Sequence, residues 1–202
     1  RVRREGNALL GPEFQILDDA GTNEDNNPLS AAGSLYALTA AQDKRLEHAG
    51  SFNQSRIVCR GGHIEHWLNG QQVLSAEVGS EAWAARLAKS KFRSLPGFAS
   101  ERPGHILLQD HGGEVWYRSI RIRDLDLLDG WNSLLKEDGL DGWSVSGKAR
   151  YVREGDTWYP AGSATRVGWV RTTRRCGSST ARTCAGSRRR APTSVPYFED
   201  GA

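Results

Sequence analysis

Apolar and polar residues alternate most regularly between Arg102 and Leu125, in the stretch RPGHILLQDHGGEVWYRSIRIRDL. A period of two is typical of β-strands with one buried face. One face of the first strand carries His105, Leu107, Gln109 and His111, and the opposite face carries Ile106, Leu108 and Asp110. Gly112-Gly113 is a hairpin signal, because glycine adopts the positive φ that primed turns require. The stretch therefore predicts two antiparallel strands joined by a tight turn, with alternation continuing from Val115 to Ile122.

Three further strands are predicted between residues 53 and 76. They run from Asn53 to Cys59, from His63 to Leu68 and from Gln72 to Ala76. Gly61-Gly62 and Asn69-Gly70 predict the turns between them, because both dipeptides tolerate positive φ. The middle strand places Ile64, His66 and Leu68 on one face, so His66 is expected towards the interior or a cleft.

One helix is predicted, from Ser80 to Lys89. Ser80 is the expected N-cap, and Trp83 and Leu87 share the core face at a spacing of four residues. An irregular loop from Ser90 to Pro103 follows the helix.

Near the start of the chain, residues 9–18 predict a strand whose alternation opposes Glu13 and Gln15 to Phe14 and Ile16. Residues 19–34 predict a long polar loop, because Asn, Asp and Gly dominate them. A short strand from Ser34 to Thr39 is expected to carry Tyr36.

Four blocks, in order, resemble the bacterial 3-keto-disaccharide hydrolase domain family. They are GPEFQILD at 11–18, NQSRIVCRGGHIEHWLNG at 53–70, SKF at 90–92 and the strand stretch at 104–122. Phe52 stands where the family usually has tryptophan. The resemblance implies an all-β fold, a concanavalin A-like (LamG-like) jelly-roll β-sandwich with one short helix.

The order of these blocks predicts an unusual domain organisation. Residues 1–125 resemble the C-terminal two-thirds of such a sandwich, whereas residues 128–175 resemble its N-terminal strands. Residues 1–125 alone would leave unpaired sheet edges, so residues 128–175 are expected to pair with them and complete the sandwich. Either the order is permuted or two tandem copies have been cut, and a swapped dimer is the rival to a monomer. Residues 176–202 are expected to form an irregular, Arg-rich tail.

The net charge of +3 belongs to one segment, since residues 171–190 carry seven arginines and no acidic residue. No aromatic residues interleave these arginines, so nucleic-acid binding is not expected. No apolar run approaches the roughly 20 residues of a membrane span. The chain contains no methionine and no visible signal peptide. Periplasmic or secreted localisation in a bacterium is expected from the family resemblance.

The three cysteines do not form a metal motif, because their spacing contains neither CxxC nor a neighbouring histidine. Cys59 lies in an apolar strand pattern and is expected to be a small buried side chain. Cys176 and Cys184 are either thiols or a disulfide.

The resemblance implies a substrate, a glycoside whose C3 hydroxyl has been oxidised to a ketone. The ketone acidifies the proton at C2, so a base can remove it and the enolate can expel the C1 aglycone by β-elimination. Later addition of water gives net hydrolysis. Such a site needs a base with a suitable pKa and an electrophile at the C3 oxygen.

The candidate residues come from the polar faces of the matched blocks. The catalytic candidates are His111, Glu13, Lys91 and His66, and the substrate-binding candidates are Gln15, Gln109, Asp18, Tyr36 and Asn69. A divalent metal ion is a possible cofactor, with His111 and Glu13 as its ligands if one is bound. The alternatives are structural: His111 could hold its turn, Lys91 could be a solvated loop residue, and Asn69 could be present for its left-handed backbone.

Two other functions stay open. The same sandwich class serves non-catalytic carbohydrate-binding modules, and fold does not fix function. The Arg-rich tail is also compatible with an inactive fragment of such an enzyme. A carbohydrate is the expected ligand of both the enzyme and the binding module.

Overall fold

The computed structural model describes residues 3–5, 8–20, 27–48, 50–100, 104–110, 114–126, 130–135, 139–146, 150–161, 167–172, 179–183 and 186–188. Strands dominate these residues, and they contain one α-helix, so the fold is all-β as predicted. The strands are β1 Arg3–Glu5, β2 Ala8–Leu10, β3 Ser55–Arg60, β4 His63–Leu68, β5 Gln71–Glu77, β6 His105–Asp110, β7 Glu114–Trp116, β8 Arg121–Asp124, β9 Asn132–Ser133, β10 Trp143–Ser146, β11 Arg150–Glu154, β12 Thr157–Ala161, β13 Val167–Thr172, β14 Ser179–Thr183 and β15 Gly186–Arg188. The helix α1 is Glu81–Lys89, and a 3-10 turn covers Pro28–Ser30.

Six strands form the largest sheet, in the order β5-β4-β3-β14-β8-β9. Its first three strands, β5, β4 and β3, are consecutive in sequence and form two antiparallel hairpins, as the alternation predicted. Both turns are confirmed: Gly61 and Gly62 have φ of +53° and +87°, and Asn69 and Gly70 have φ of +48° and +81°. Two successive positive φ values define the type I′ turn that matches the twist of a hairpin.

A second sheet has three strands in the order β10-β13-β6. The remaining strands form three pairs, β1 with β2, β11 with β12 and β15 with β7. All the pairs in these sheets are antiparallel.

The predicted hairpin across Gly112-Gly113 is wrong in its pairing. The strands β6 and β7 lie where they were expected, but β6 pairs with β13 and β7 pairs with β15. The return strand is also interrupted, because Ser119 has a φ of +49° and separates β7 from β8. Val115, Trp116 and Tyr117 are three successive buried residues, so the predicted alternation of buried and exposed positions is already absent before this break. Alternation locates a strand, but tertiary contacts choose its partner.

The later part of the chain pairs with the earlier part at several places. Val167 to Thr172 lie opposite Asp110 to His105, and Tyr117 bridges to Trp158. Residues 176–202 were expected to be irregular, but two segments among them, β14 and β15, form strands. The strand β14 lies between β3 and β8, so its backbone pairs with two edges that would otherwise be unpaired. Whether the order is permuted or tandem-cut stays a prediction.

The predicted strand over residues 9–18 is not continuous. Among the described residues 11–18, Phe14 alone forms a bridge, an isolated antiparallel one with Leu35. The predicted strand over 34–39 is a tight turn instead, because Leu35 also bridges to Thr39 and Ala37 has a φ of +58°. Gly11-Pro12 precedes the bridge, and proline lacks the N–H that a strand ladder would use.

Buried side chains gather in two apolar clusters. The first, which we call the hairpin cluster, contains Leu35, Leu38, Leu68, Val73, Leu74, Ala76, Trp83, Phe92 and Phe98. The second, the inter-sheet cluster, contains Leu108, Val115, Trp116, Tyr117, Ile120 and Leu134. The inter-sheet cluster joins the two sheets, because Leu108 of β6 and Ile122 of β8 both pack in it.

The helix α1 covers the hairpin cluster. Ser80 is its N-cap, as predicted, and its Oγ accepts a hydrogen bond from the Trp83 N–H at 3.1 Å. Trp83 is buried and Leu87 is half-buried, which confirms the predicted core face. Within the described residues, this short helix is not one that could cross a membrane.

Candidate functional site

The bridge between Phe14 and Leu35 sets the geometry of the candidate site. The Tyr36 N–H donates to the Glu13 carbonyl at 3.0 Å, and the Gln15 N–H donates to the Ser34 carbonyl at 3.0 Å. Antiparallel pairing therefore places Glu13 opposite Tyr36 and Gln15 opposite Ser34, on the face away from Phe14. Residues from two predicted elements thus share one polar face, which we call the polar face of the bridge.

Gln15 is fixed by the turn beside this face. Its Nε2 donates to the Ser30 carbonyl at 3.0 Å, and the neighbouring Ser34 Oγ donates to the Pro28 carbonyl at 2.8 Å. Asn27 caps that 3-10 turn, since its Oδ1 accepts from the Leu29 N–H at 3.0 Å. One donor of Gln15 is therefore already used within the protein.

Lys91 reaches the same face from the end of α1. Its Nζ lies 3.9 Å from the centre of the Tyr36 ring and 5.2 Å from that of Phe92. Ser90 fixes this approach, because its Oγ accepts from the Phe92 N–H at 3.0 Å and donates to the Leu87 carbonyl at 2.8 Å. These two ring contacts position the Lys91 ammonium, and the residue is exposed.

Phe92 anchors Lys91 from below. It is buried, and its ring stacks on Phe98 with the ring centres 4.4 Å apart. Its ring also meets Tyr36 edge to face at 6.5 Å. The motif Ser-Lys-Phe thus supplies a cap, a cation and an apolar anchor in three consecutive residues.

His66 lies on the opposite, apolar side of the bridge. It is 2% exposed, and its ring centre lies 4.6 Å from that of Phe14. Its Nδ1 donates to the Gly33 carbonyl at 2.8 Å, which fixes the tautomer with the proton on Nδ1. Burial lowers the pKa of His66 to about 4, although the hydrogen bond to Gly33 acts in the other direction. His66 is therefore neutral near pH 7 and lies beneath the polar face rather than on it.

Gly33 links His66 to the segment that carries Glu13. Its N–H donates to the Gln15 carbonyl at 2.8 Å, while its own carbonyl accepts from His66. Its φ is +80°, and an added Cβ would lie 3.3 Å from Val73 Cγ2 and 3.4 Å from Ala41 Cβ. Both the backbone conformation and the space therefore favour glycine here.

An ion pair holds the residue before Gly33. Asp19 and Lys44 form a half-buried salt bridge. The Ala32 N–H donates to Asp19 Oδ1 at 2.8 Å, and Lys44 Nζ donates to the Ala32 carbonyl at 3.2 Å. Sequence reasoning missed Gly33, Asp19 and Lys44, because their hydrogen bonds and ion pair join positions 12 to 33 residues apart and follow no local pattern.

Asp18 and Asn69 contribute to turns. Asp18 Oδ1 accepts from the Ala20 N–H at 3.2 Å. Asn69 Oδ1 accepts from the Gln54 N–H at 2.6 Å, and its Nδ2 donates to the Arg45 carbonyl and to Asn53 Oδ1 at 2.9 and 2.8 Å. Both donors of the Asn69 amide are thus used to hold loops, and its φ of +48° is the left-handed backbone that its structural alternative expected. A role in substrate binding stays a prediction for both residues.

Gln109 belongs to another part of the molecule. Gln109 is exposed on β6, in the second sheet. Its backbone carbonyl accepts a hydrogen bond from the Tyr117 hydroxyl at 3.1 Å. His111 lies outside the described residues, as do Cys176 and Cys184. The described residues contain no group of three His, Cys, Asp or Glu side chains suited to a metal ion. A metal site that uses His111 therefore stays a prediction.

The other histidines and Cys59 are peripheral to the polar face of the bridge. His63 contacts Glu77 at 3.0 Å and Glu65 at 3.3 Å on the outer face of β4. His48 is exposed and contacts Ser51. Cys59 is half-buried rather than fully buried.

Residues 1–123 match the family described as the 3-keto-alpha-glucoside-1,2-lyase-like domain. This is more than half of the chain, and it contains Glu13, Tyr36, His66 and Lys91. The chain belongs to this family. The strand blocks that suggested the resemblance all lie within the matched range.

A curated relative agrees with this membership. A 3-keto-disaccharide hydrolase from Bacteroides thetaiotaomicron is 33% identical over 144 residues. The alignment covers 61% of this chain and 49% of the relative, so the chain spans about half the length of that protein.

A solved structure is similar at a lower level. It comes from Parabacteroides distasonis, is described as a candidate glycosyl hydrolase, and is 17% identical with a TM-score of 0.43. The similarity covers 89% of this chain and 59% of that protein.

Proposed function

We propose that the chain acts on 3-keto-glycosides and cleaves them by β-elimination, with the polar face of the bridge as its reaction centre. The supporting observation is that three segments approach one another here: the Tyr36 N–H donates to the Glu13 backbone carbonyl at 3.0 Å, and Lys91 Nζ lies 3.9 Å from the centre of the Tyr36 ring. Family membership supports this choice of substrate class. Enolate chemistry needs a base and a stabilising cation, and Glu13 and Lys91 are the residues that we propose for these two roles.

In this proposal Glu13 is the base. Its carboxylate takes the proton from C2, and the electron pair of the broken C–H bond moves to form an enolate on the C3 oxygen. When the C3 carbonyl re-forms, the C1–O bond breaks and its electron pair leaves with the aglycone oxygen, which takes a proton from protonated Glu13 or water. The product is a 1,2-unsaturated 3-ketone. Addition of water, with hydroxide at C1 and the proton at C2, completes a net hydrolysis.

Lys91 is the electrophile at the C3 oxygen. The Tyr36 and Phe92 rings hold its ammonium in place, at 3.9 and 5.2 Å. A preorganised cation stabilises the enolate more strongly than the neutral ketone, which is the condition for a faster reaction. In this proposal the Lys91 ammonium acts by electrostatic stabilisation of the enolate and not as a nucleophile.

Tyr36 and Gln15 orient the sugar in this proposal. The Tyr36 ring contacts Lys91, and the Tyr36 hydroxyl group is proposed to form a hydrogen bond with a sugar oxygen. Gln15 uses one amide donor on Ser30 and retains its side-chain carbonyl as an acceptor. Two polar groups on a shared face restrict the sugar to few orientations, and such restriction contributes to the rate.

The test compares two substrates with a chromogenic aglycone, a 3-keto-glucoside and its unoxidised counterpart. We expect aglycone release from the first only. Glu13→Gln and Lys91→Met should each lower kcat by about 100-fold or more, as expected for loss of a base or of one oxyanion-stabilising group. Lys89→Met, an exposed change of the same type two residues away, is the matched control and should retain activity.

Two further arms sharpen this test. His111→Ala and assays with and without EDTA measure whether His111 and a divalent ion take part. If wild type binds the 3-keto sugar saturably in calorimetry but never releases aglycone, the chain is a carbohydrate-binding module instead. If Glu13→Gln and Lys91→Met both keep wild-type rates, the reaction centre lies elsewhere.

A further inference from the structure

An imidazole inside the hairpin cluster needs an explanation. The cross-strand neighbours of His66 are Ile57 on β3 and Leu74 on β5, both apolar. Burying a polar ring among such side chains costs free energy unless its polar atoms are hydrogen-bonded. A leucine would satisfy the alternation of β4 equally well, so the stability of the sheet alone does not call for histidine.

The contacts of His66 point towards the polar face. Its Nδ1 donates to the Gly33 carbonyl, and the amide of that same glycine donates to the Gln15 carbonyl, both at 2.8 Å. Its ring also packs on Phe14. His66 therefore contacts the segment 13–15 at Phe14 and, through Gly33, is linked to it again at Gln15.

We propose that His66 is a positioning residue, whose Nδ1–H holds Gly33 and thereby sets the place of Glu13 and Gln15 on the polar face. This inference rests on the proposed function for its effect on turnover, but its structural half can be measured without substrate. A displaced base loses rate steeply, because the reacting atoms must lie within a few tenths of an ångström of the productive geometry.

Two substitutions at this position separate the hydrogen bond from the packing. His66→Asn keeps an N–H donor near the place of Nδ1, whereas His66→Leu fills the cluster and removes the donor. At a temperature where circular dichroism shows both variants folded, His66→Leu should lower kcat at least 10-fold and change KM by less than about threefold, since the lost interaction acts on the reacting group. His66→Asn should recover most of that loss.

Hydrogen exchange provides the readout that needs no turnover. In His66→Leu the Gly33 and Tyr36 amides should exchange at least 10-fold faster than in wild type, because their bonds to the 13–15 segment weaken. The Trp83 amide, held by Ser80 on α1, is the internal control and should be unchanged. A uniform rise at all three amides would mean general destabilisation and would overturn the positioning role.

The outcomes distinguish this inference from the proposed function. Faster exchange at Gly33 and Tyr36 in an active His66→Leu enzyme with wild-type kcat refutes positioning and leaves the reaction intact. If wild type has no activity on 3-keto sugars, the proposed function fails, and the exchange pattern alone then decides whether His66 holds the segment. Unchanged exchange at Gly33 in His66→Leu refutes the inference in either case.

Discussion

The two apolar clusters are built from differently connected strands. In the hairpin cluster, β3, β4 and β5 pair with their neighbours in sequence, and α1 follows directly. In the inter-sheet cluster, β6, β7 and β8 pair with β13, β15 and β14, and the paired residues are 55 to 74 positions apart in the chain. Local sequence patterns can therefore specify the half of the molecule whose strands are neighbours in sequence. The other half forms only when long loops close. Lys91 and His66 of the candidate site belong to the locally built half.

The largest expected effect comes from emptying either cluster. Trp83→Ala and Trp116→Ala each remove a large buried side chain and should lower the free energy of unfolding by about 3–5 kcal/mol. If the clusters are separate units, Trp83→Ala should speed amide exchange in β4 and β5 more than in β6, and Trp116→Ala should do the reverse. Equal effects throughout the chain, by exchange and urea unfolding, would show a single cooperative unit.

Acid should weaken the hairpin cluster next. The folded pKa of His66 is about 4 and its unfolded value is 6.5, so between these pH values the unfolded chain binds the extra proton. Stability from this group is therefore complete above pH 6.5 and is lost as the pH falls to about 4, by about 3 kcal/mol. Urea midpoints from pH 7 to 4.5 measure this loss. His66→Asn should show less of it, and an equal loss in that variant would place the titration elsewhere.

Gly33→Ala should destabilise more than Gly61→Ala. Both glycines have positive φ, which costs alanine about 1–2 kcal/mol, but only Gly33 also meets close neighbours at 3.3 and 3.4 Å. Gly61 has open space around its added Cβ. Thermal unfolding of the pair measures the difference, and equal melting temperatures would show that Val73 and Ala41 move aside freely.

The smallest effect concerns the helix cap. Ser80→Ala removes the acceptor for the Trp83 N–H and should cost about 1 kcal/mol. Ser80→Asp restores an acceptor at the N-cap and should recover most of that loss. Urea unfolding checks both variants, and a neutral Ser80→Ala would mean that packing of Trp83 alone fixes the start of α1.

The outcome for the sequence predictions follows this division. His63 to Leu68, both type I′ turns and the Ser80 cap were predictable because each rests on a pattern of a few neighbouring residues. The partner of β6 was not, because the glycines at 112–113 describe a turn and contain no information about β13. Long-range pairing depends on which exposed edges meet in the folded chain.

The candidate site shows the same limit at the level of side chains. Alternation placed Glu13 and Gln15 together, although their strand proved to be a single bridge. It also directed His66 inward, as the structure shows. It could not reveal that Gly33 joins His66 to Gln15, because that link runs through backbone groups that every residue possesses.

The segment after Glu13 touches both halves of the molecule. Phe14 packs with the hairpin cluster, whereas Ile16 packs with the inter-sheet cluster, and only Gln15 separates them. The carboxylate proposed as the base is thus carried by a short segment that packs against both clusters. Heating that loosens either cluster should increase the motion of this segment first. We therefore expect catalysis to be lost at temperatures where most of the chain is still folded.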